Sequence, residues 1–172
     1  MIHLIDKTVL ISEAENEVKV VTQRLALLHL AYAKTLVDEY GWEKGKRLIL
    51  MSMKSYGVYV SNWMRAGHQG LPRYGFWERR EGKPDLCELG KVMIEMGEPK
   101  LGVFYCLIDP AKTMAADPCE KMIHTKCMIL GDDECEFVTV PTTEGERIDF
   151  AENGDWAHAD PLIDDYLRKS KD

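Results

Sequence analysis

The stretch MIHTKCMILGDDECEFVTV, residues 122–140, decides how this chain folds. Met122 to Leu130 and Glu134 to Val140 are two apolar-rich runs flanking Gly131-Asp132-Asp133, the pattern of a β-hairpin. If the hairpin is symmetric about Gly131, Cys127 and Cys135 face each other, and cross-strand partners stand roughly 4.5–5.5 Å apart at Cβ. Two thiolates at that separation can share one metal ion. His124 lies three residues before Cys127 and so faces the other side of a regular strand; both reach one ion only if the strand bulges between them. Upstream, Gly102-Val-Phe-Tyr-Cys-Leu-Ile108 is a continuous apolar run that reads as a buried strand, and its Cys106 can supply a third ligand. Cys119 is a reserve donor at an expected turn. The competing reading is that these are buried cysteines packing as small hydrophobes, with His124 an exposed strand residue.

Working outward, the segment before the hairpin is helical. In residues 13–40, Val18, Val21, Leu25, Leu28, Tyr32 and Leu36 recur at three- and four-residue steps, and Gly41 is a stop. A second helix is expected from Trp42 to Met64, apolar almost all round and therefore buried on more than one side. Arg65 to Pro84, rich in Gly and Pro, reads as a loop anchored by Phe76-Trp77. Asp85 is the expected N-cap of a third helix that ends at Gly97-Glu98-Pro99. Asp109-Pro110 opens a short helical segment. The acidic stretch 144–172 is loosely patterned, with a helix expected from Pro161 to Arg168. Helices first and strands later give an α+β fold. One domain is expected over residues 1–172, a helical N-terminal half (13–97) packed on a small antiparallel sheet within a Cys/His hairpin part (101–140), followed by the acidic tail.

Length and composition set bounds on function. A chain of 172 residues, 45% apolar and 30% charged, has enough material for one real core. A net charge of −7, with Lys and Arg scattered, argues against a nucleic-acid partner. The N-terminus shows no secretory signal, and no stretch approaches the length of a membrane span, so a cytoplasmic location without membrane partners is expected. There, five cysteines point to thiol or metal chemistry rather than structural disulfides.

Cys106, His124-x-x-Cys127 and Gly131-Asp-Asp-Glu-Cys135-Glu-Phe137 together resemble the C-terminal signature of the 4-vinyl reductase domain, in which an acid and cysteines bind zinc. This chain has His124 in place of the acid and a shorter spacer, and imidazole is at least as good a zinc ligand. In order and length the whole chain is more similar to the L-2-amino-thiazoline-4-carboxylic acid hydrolase family. That likeness spans roughly residues 20–140 and rests on Tyr105-Cys-Leu-Ile-Asp109 and the hairpin 131–137. The resemblances imply one zinc held by Cys106, His124, Cys127 and Cys135, and a fold similar to the 4-vinyl reductase domain. The implied activity is a small-molecule hydrolase opening a C–N or C–S bond of a cyclic amidine or thiazoline. The alternative they imply is a sensor or carrier for an aromatic or tetrapyrrole-like ligand. Three thiolates and one imidazole fill a tetrahedron, which makes the zinc structural.

Asp109, at the end of the Cys106 run, is a candidate general base; its other reading is a helix N-cap. His68 in Ala66-Gly-His-Gln-Gly70 is a second catalytic candidate, on a loop that could fold over a pocket or simply carry a surface histidine. Tyr56, Tyr59, Trp63 and Tyr105 are candidate walls of a pocket for a small organic molecule, covered by the loop from His68 to Trp77, or else plain core. Arg65, Arg73 or His68 could pair with an anionic substrate. Apolar positions in excess of one small core on the first two helices, among them Val18, Val20, Val21, Leu27, Leu28 and Leu30, point to a homodimer.

Overall fold

A computed structural model describes residues 10–67 and 87–170. His68, Arg73, Phe76, Trp77 and the expected cap Asp85 lie outside the described residues. Helix α1 runs Ile11–Arg65, interrupted at Gly41, where φ 74° and ψ 167° are non-helical. A positive φ of this kind is open to glycine and strained for other residues. The chain therefore divides into two arms at the expected stop. Helix α2 is Glu88–Glu95, capped by Cys87, whose thiol accepts from the Gly90 N–H at 3.3 Å. Gly97, at φ 71°, ends the segment.

The apolar run that follows is not a strand. Pro99 starts a short helix, α3 (Pro99–Gly102), which passes through a 3₁₀ turn (Val103–Leu107) into α4 (Ile108–Ala116). Val103, Phe104 and Leu107 are completely buried, so the segment is apolar all round and carries no period to separate strand from helix. Proline at the first helical position and the break at Gly97 were the cues for helix. Leu107 takes the N-cap position of α4, and Asp109 sits inside its first turn instead of capping it.

The hairpin forms as two antiparallel strands, β1 (Glu120–Lys126) and β2 (Glu136–Pro141). The acidic tail is more ordered than its composition suggests. It holds α5 (Glu144–Glu152), a 3₁₀ turn (Trp156–Ala159) and α6 (Pro161–Lys169). A capping box starts α5: Thr143 Oγ1 accepts from Glu146 N–H, and Glu146 accepts from Thr143 N–H.

The described residues are thus mostly helical with one two-stranded sheet, an α+β fold. Helix α4 packs on α1 on one side and on β1 on the other, and α6 covers β1. The long helix therefore reaches the sheet through α4. Gly57 makes the α1–α4 approach possible, since a Cβ there would stand 2.6 Å from Cβ of Ala111. Phe104, Ile49, Leu50, Met93, Ile163 and Trp156 form a common core, and each such side chain contributes about 1.5–3 kcal/mol by burial. Lys121 of β1 and Glu146 of α5 form a buried ion pair that fixes the tail to the hairpin. No helix among the described residues is long and apolar enough to cross a membrane.

Candidate metal centre

Three of the expected metal ligands meet. Donor atoms of Cys106, His124 and Cys127 all lie within 4.8 Å of one another, and all three residues are buried. Each comes from a different local structure. Cys106 sits in the 3₁₀ turn before α4, His124 on β1, and Cys127 in the connection beyond β1.

The hairpin supplies the required bend. His124 pairs with Phe137 and Lys126 with Glu136, so Thr125 is an extra residue bulged out of the ladder. That bulge turns His124 and Cys127 to one side of the strand, as the spacing demanded. Beyond the last pair, the next facing positions are Cys127 and Cys135. The Gly131-Asp132 segment then locks Cys127. Gly131 adopts the left-handed conformation at φ 105°, Asp132 Oδ2 accepts from the Cys127 N–H at 2.7 Å, and the Cys127 carbonyl accepts from the Leu130 N–H at 2.9 Å.

The geometry of the donors suits a single ion. Cys106 Sγ and Cys127 Sγ are 3.9 Å apart. With a zinc–sulfur bond of about 2.3 Å, the edge of a regular tetrahedron is ~3.8 Å. His124 is prepared in the same sense. Its Nδ1 donates to Asp160 Oδ2 at 2.7 Å, and both side chains are essentially inaccessible. The same oxygen accepts from the His124 backbone N–H at 3.0 Å, while Oδ1 accepts from the Ile163 N–H at the start of α6. With Nδ1 committed to Asp160, Nε2 is the ring nitrogen left to meet an ion. This is the carboxylate–histidine arrangement that orients metal-binding imidazoles.

Cys135 lies outside the group of three. It is half-buried, accepts from the Met128 N–H at 3.5 Å, and its thiol is coupled electrostatically to those of Cys127 and Cys87. Cys87 joins from the N-terminus of α2, with its own N–H directed at the Met128 sulfur at 3.1 Å. The Cys127 thiol is pushed up, first by its hydrogen bond with Cys106 and then by burial. For Cys106 the bond with Cys127 lowers the pKa, but burial and the neighbouring Cys87, Cys135 and Asp109 raise it overall. Cys87 and Cys135 are also raised, each first by a thiol partner, Cys135 and Cys127 respectively. Sulfurs crowded this way resist accumulating negative charge unless a cation balances it. Cys119 is exposed and stands apart from the cluster.

The candidate ligand-binding residues divide. Tyr56 and Tyr105 are half-buried with hydroxyls 3.5 Å apart, and the His29 ring meets Tyr105 edge-on at 5.4 Å. Burial and the Tyr56 hydroxyl raise the Tyr105 pKa. Asp109 is paired with Lys112 at 2.5 Å, one turn along α4. Tyr59 and Trp63, by contrast, are 73% and 51% exposed on the second arm of α1. The loop expected to cover them lies outside the described residues. A separate polar groove of about 400 Å³ runs between that arm and α5, lined by Glu43, Lys46, Arg47, Asp149 and Asn153 among others. Three of its charged residues are already engaged, Lys46 with Asp155 and Asp149 with His158.

Sequence reasoning did not find Asp160 or Cys87 as members of the centre. Asp160-Pro161 carries the signature of a helix start and nothing more. No family model, curated protein or solved structure matches the chain.

Proposed function

We propose that this chain is a zinc protein whose ion is held by Cys106, His124, Cys127 and Cys135 and staples the hairpin to the helical body. The observation that carries this reading is the convergence of three buried donors with the His124 Nδ1 committed to a buried carboxylate. Buried cysteines packing as hydrophobes explain neither the imidazole among them nor its orienting aspartate. Soft thiolates with one imidazole select zinc or another thiophilic ion over magnesium or calcium. Cys135, next to Cys127 beyond the ladder, is the fourth donor in this proposal. A shell filled by four protein donors, three of them buried, supports a structural role. The test is cobalt titration of metal-free, reduced protein. Wild type should develop strong thiolate-to-cobalt absorption that saturates at one equivalent, and Cys106→Ser and His124→Ala should not. Saturation by wild type without those bands would refute the reading.

Around this staple, the chain is proposed to act on a small organic molecule, as a hydrolase of the cyclic amidine or thiazoline type. The half-buried Tyr56, Tyr105 and Asp109 support this, because they offer polar groups beside Cys106 without drawing on the metal shell. Asp109→Asn should then abolish turnover of such a substrate while the metal content stays unchanged. Ligand binding without turnover would favour the sensor or carrier reading.

A further inference from the structure

The first arm of α1 has two faces. Ala26, His29, Leu30 and Ala33 point into the core. A second stripe, Val18, Val21, Leu25, Leu28 and Tyr32, follows alternating three- and four-residue steps, the a/d spacing of a coiled coil. Val21, Leu28 and Tyr32 on it are 62%, 52% and 66% exposed. From Ser12 to Leu25 no described side chain is fully buried. A helix in water draws most of its stability from packing, so about four turns here lack the support that the rest of the arm has.

The charges beside the stripe identify the occupant. Glu17 and Arg24 lie seven residues apart on the same edge of the stripe, both exposed. We infer that this face pairs with a second copy of the chain as a short antiparallel coiled coil, with Val18 of each copy facing Val21 of the other. In that register, and by symmetry twice, Glu17 of one copy stands beside Arg24 of the other. A parallel pairing would instead set Glu17 beside Thr22, and Arg24 beside His29, which is buried with its Nε2 3.0 Å from the Leu101 carbonyl oxygen. Only the antiparallel register uses both charges. The inference is independent of the metal centre.

Light scattering across a concentration series tests it, with a charge swap. Wild type should approach twice the 19.7 kDa chain mass at high concentration. Glu17→Arg and Arg24→Glu, each replacing two attractive contacts by two repulsive ones, should weaken the dimer about tenfold. The double variant Glu17→Arg/Arg24→Glu should restore it. Because both positions are exposed, each variant should keep wild-type helicity by circular dichroism at concentrations where it is dimeric. A wild type that is monomeric at every concentration, or a double variant no better than the singles, would overturn the inference.

Discussion

Replacing Asp160 separates a metal-orienting carboxylate from a mere helix cap. Its two oxygens accept three hydrogen bonds, from His124 Nδ1, from the His124 backbone and from the Ile163 backbone, and the residue is wholly inaccessible. Asp160→Ala leaves those donors buried without partners, at about 1–3 kcal/mol each, so a fold loss of roughly 4 kcal/mol is expected with or without metal. Asp160→Asn is more informative. The amide keeps one acceptor oxygen and nearly the same shape, so the metal-free protein should lose only about 1–2 kcal/mol. Its effect on the ion should be larger, because carboxylates behind metal-bound imidazoles typically set affinity by ~10–100-fold. The assay is competition for zinc against a chromophoric chelator, with urea unfolding of the metal-free variant run in parallel. Zinc affinity within about twofold of wild type, alongside the expected loss of metal-free stability, would refute the reasoning and leave Asp160 as the cap of α6 alone.

Other outcomes follow from the same structure. Stripping metal with a chelator should lower the melting temperature by about 8–16 °C, the effect of removing roughly 4 kcal/mol of ligand stabilisation from a chain of this size. Cys127→Ser in the presence of zinc should melt like the chelated wild type, and an unchanged melting temperature would place the ion elsewhere or make it non-structural. Cys87→Ser should retain one equivalent of metal and Cys135→Ser should not; the reverse result would exchange their roles. For Glu146, burial raises the pKa, but the Lys121 ion pair and the Thr143 backbone N–H outweigh it and hold the carboxyl below its usual value. Its contribution is therefore complete above the ordinary carboxylate range and is lost as pH falls below about 4.3. Glu146→Gln should flatten that part of the acid unfolding curve, measured by fluorescence.

The hairpin was legible in the sequence because its turn chemistry is local. Gly131 takes the left-handed conformation and Asp132 returns to the Cys127 N–H, so the residues that signal the turn also build it. The helix break at Gly41 was legible for the same reason. Residues 102–108 misled because burial on every side erases periodicity, and strand and helix then look alike. Helix α5 escaped notice although Thr143 and Glu146 form a capping box, because the acidic residues after it show no clear apolar stripe. Tyr56, Tyr59 and Trp63 do share a helical face, but spacing cannot say which way that face turns, and two of the three look outward. Asp160 and Cys87 reach the thiol cluster only through tertiary packing. The first approaches from the cap of α6 and the second from the cap of α2, and no local pattern links either to the hairpin.

The central claim is that Cys106, His124, Cys127 and Cys135 hold one thiophilic ion. Elemental analysis of protein purified without chelator, combined with X-ray absorption at the zinc edge, tests it most directly. The account predicts about one zinc per chain in a shell of three sulfurs and one nitrogen. Less than about a tenth of an equivalent of any transition metal, with all five thiols free, would contradict it.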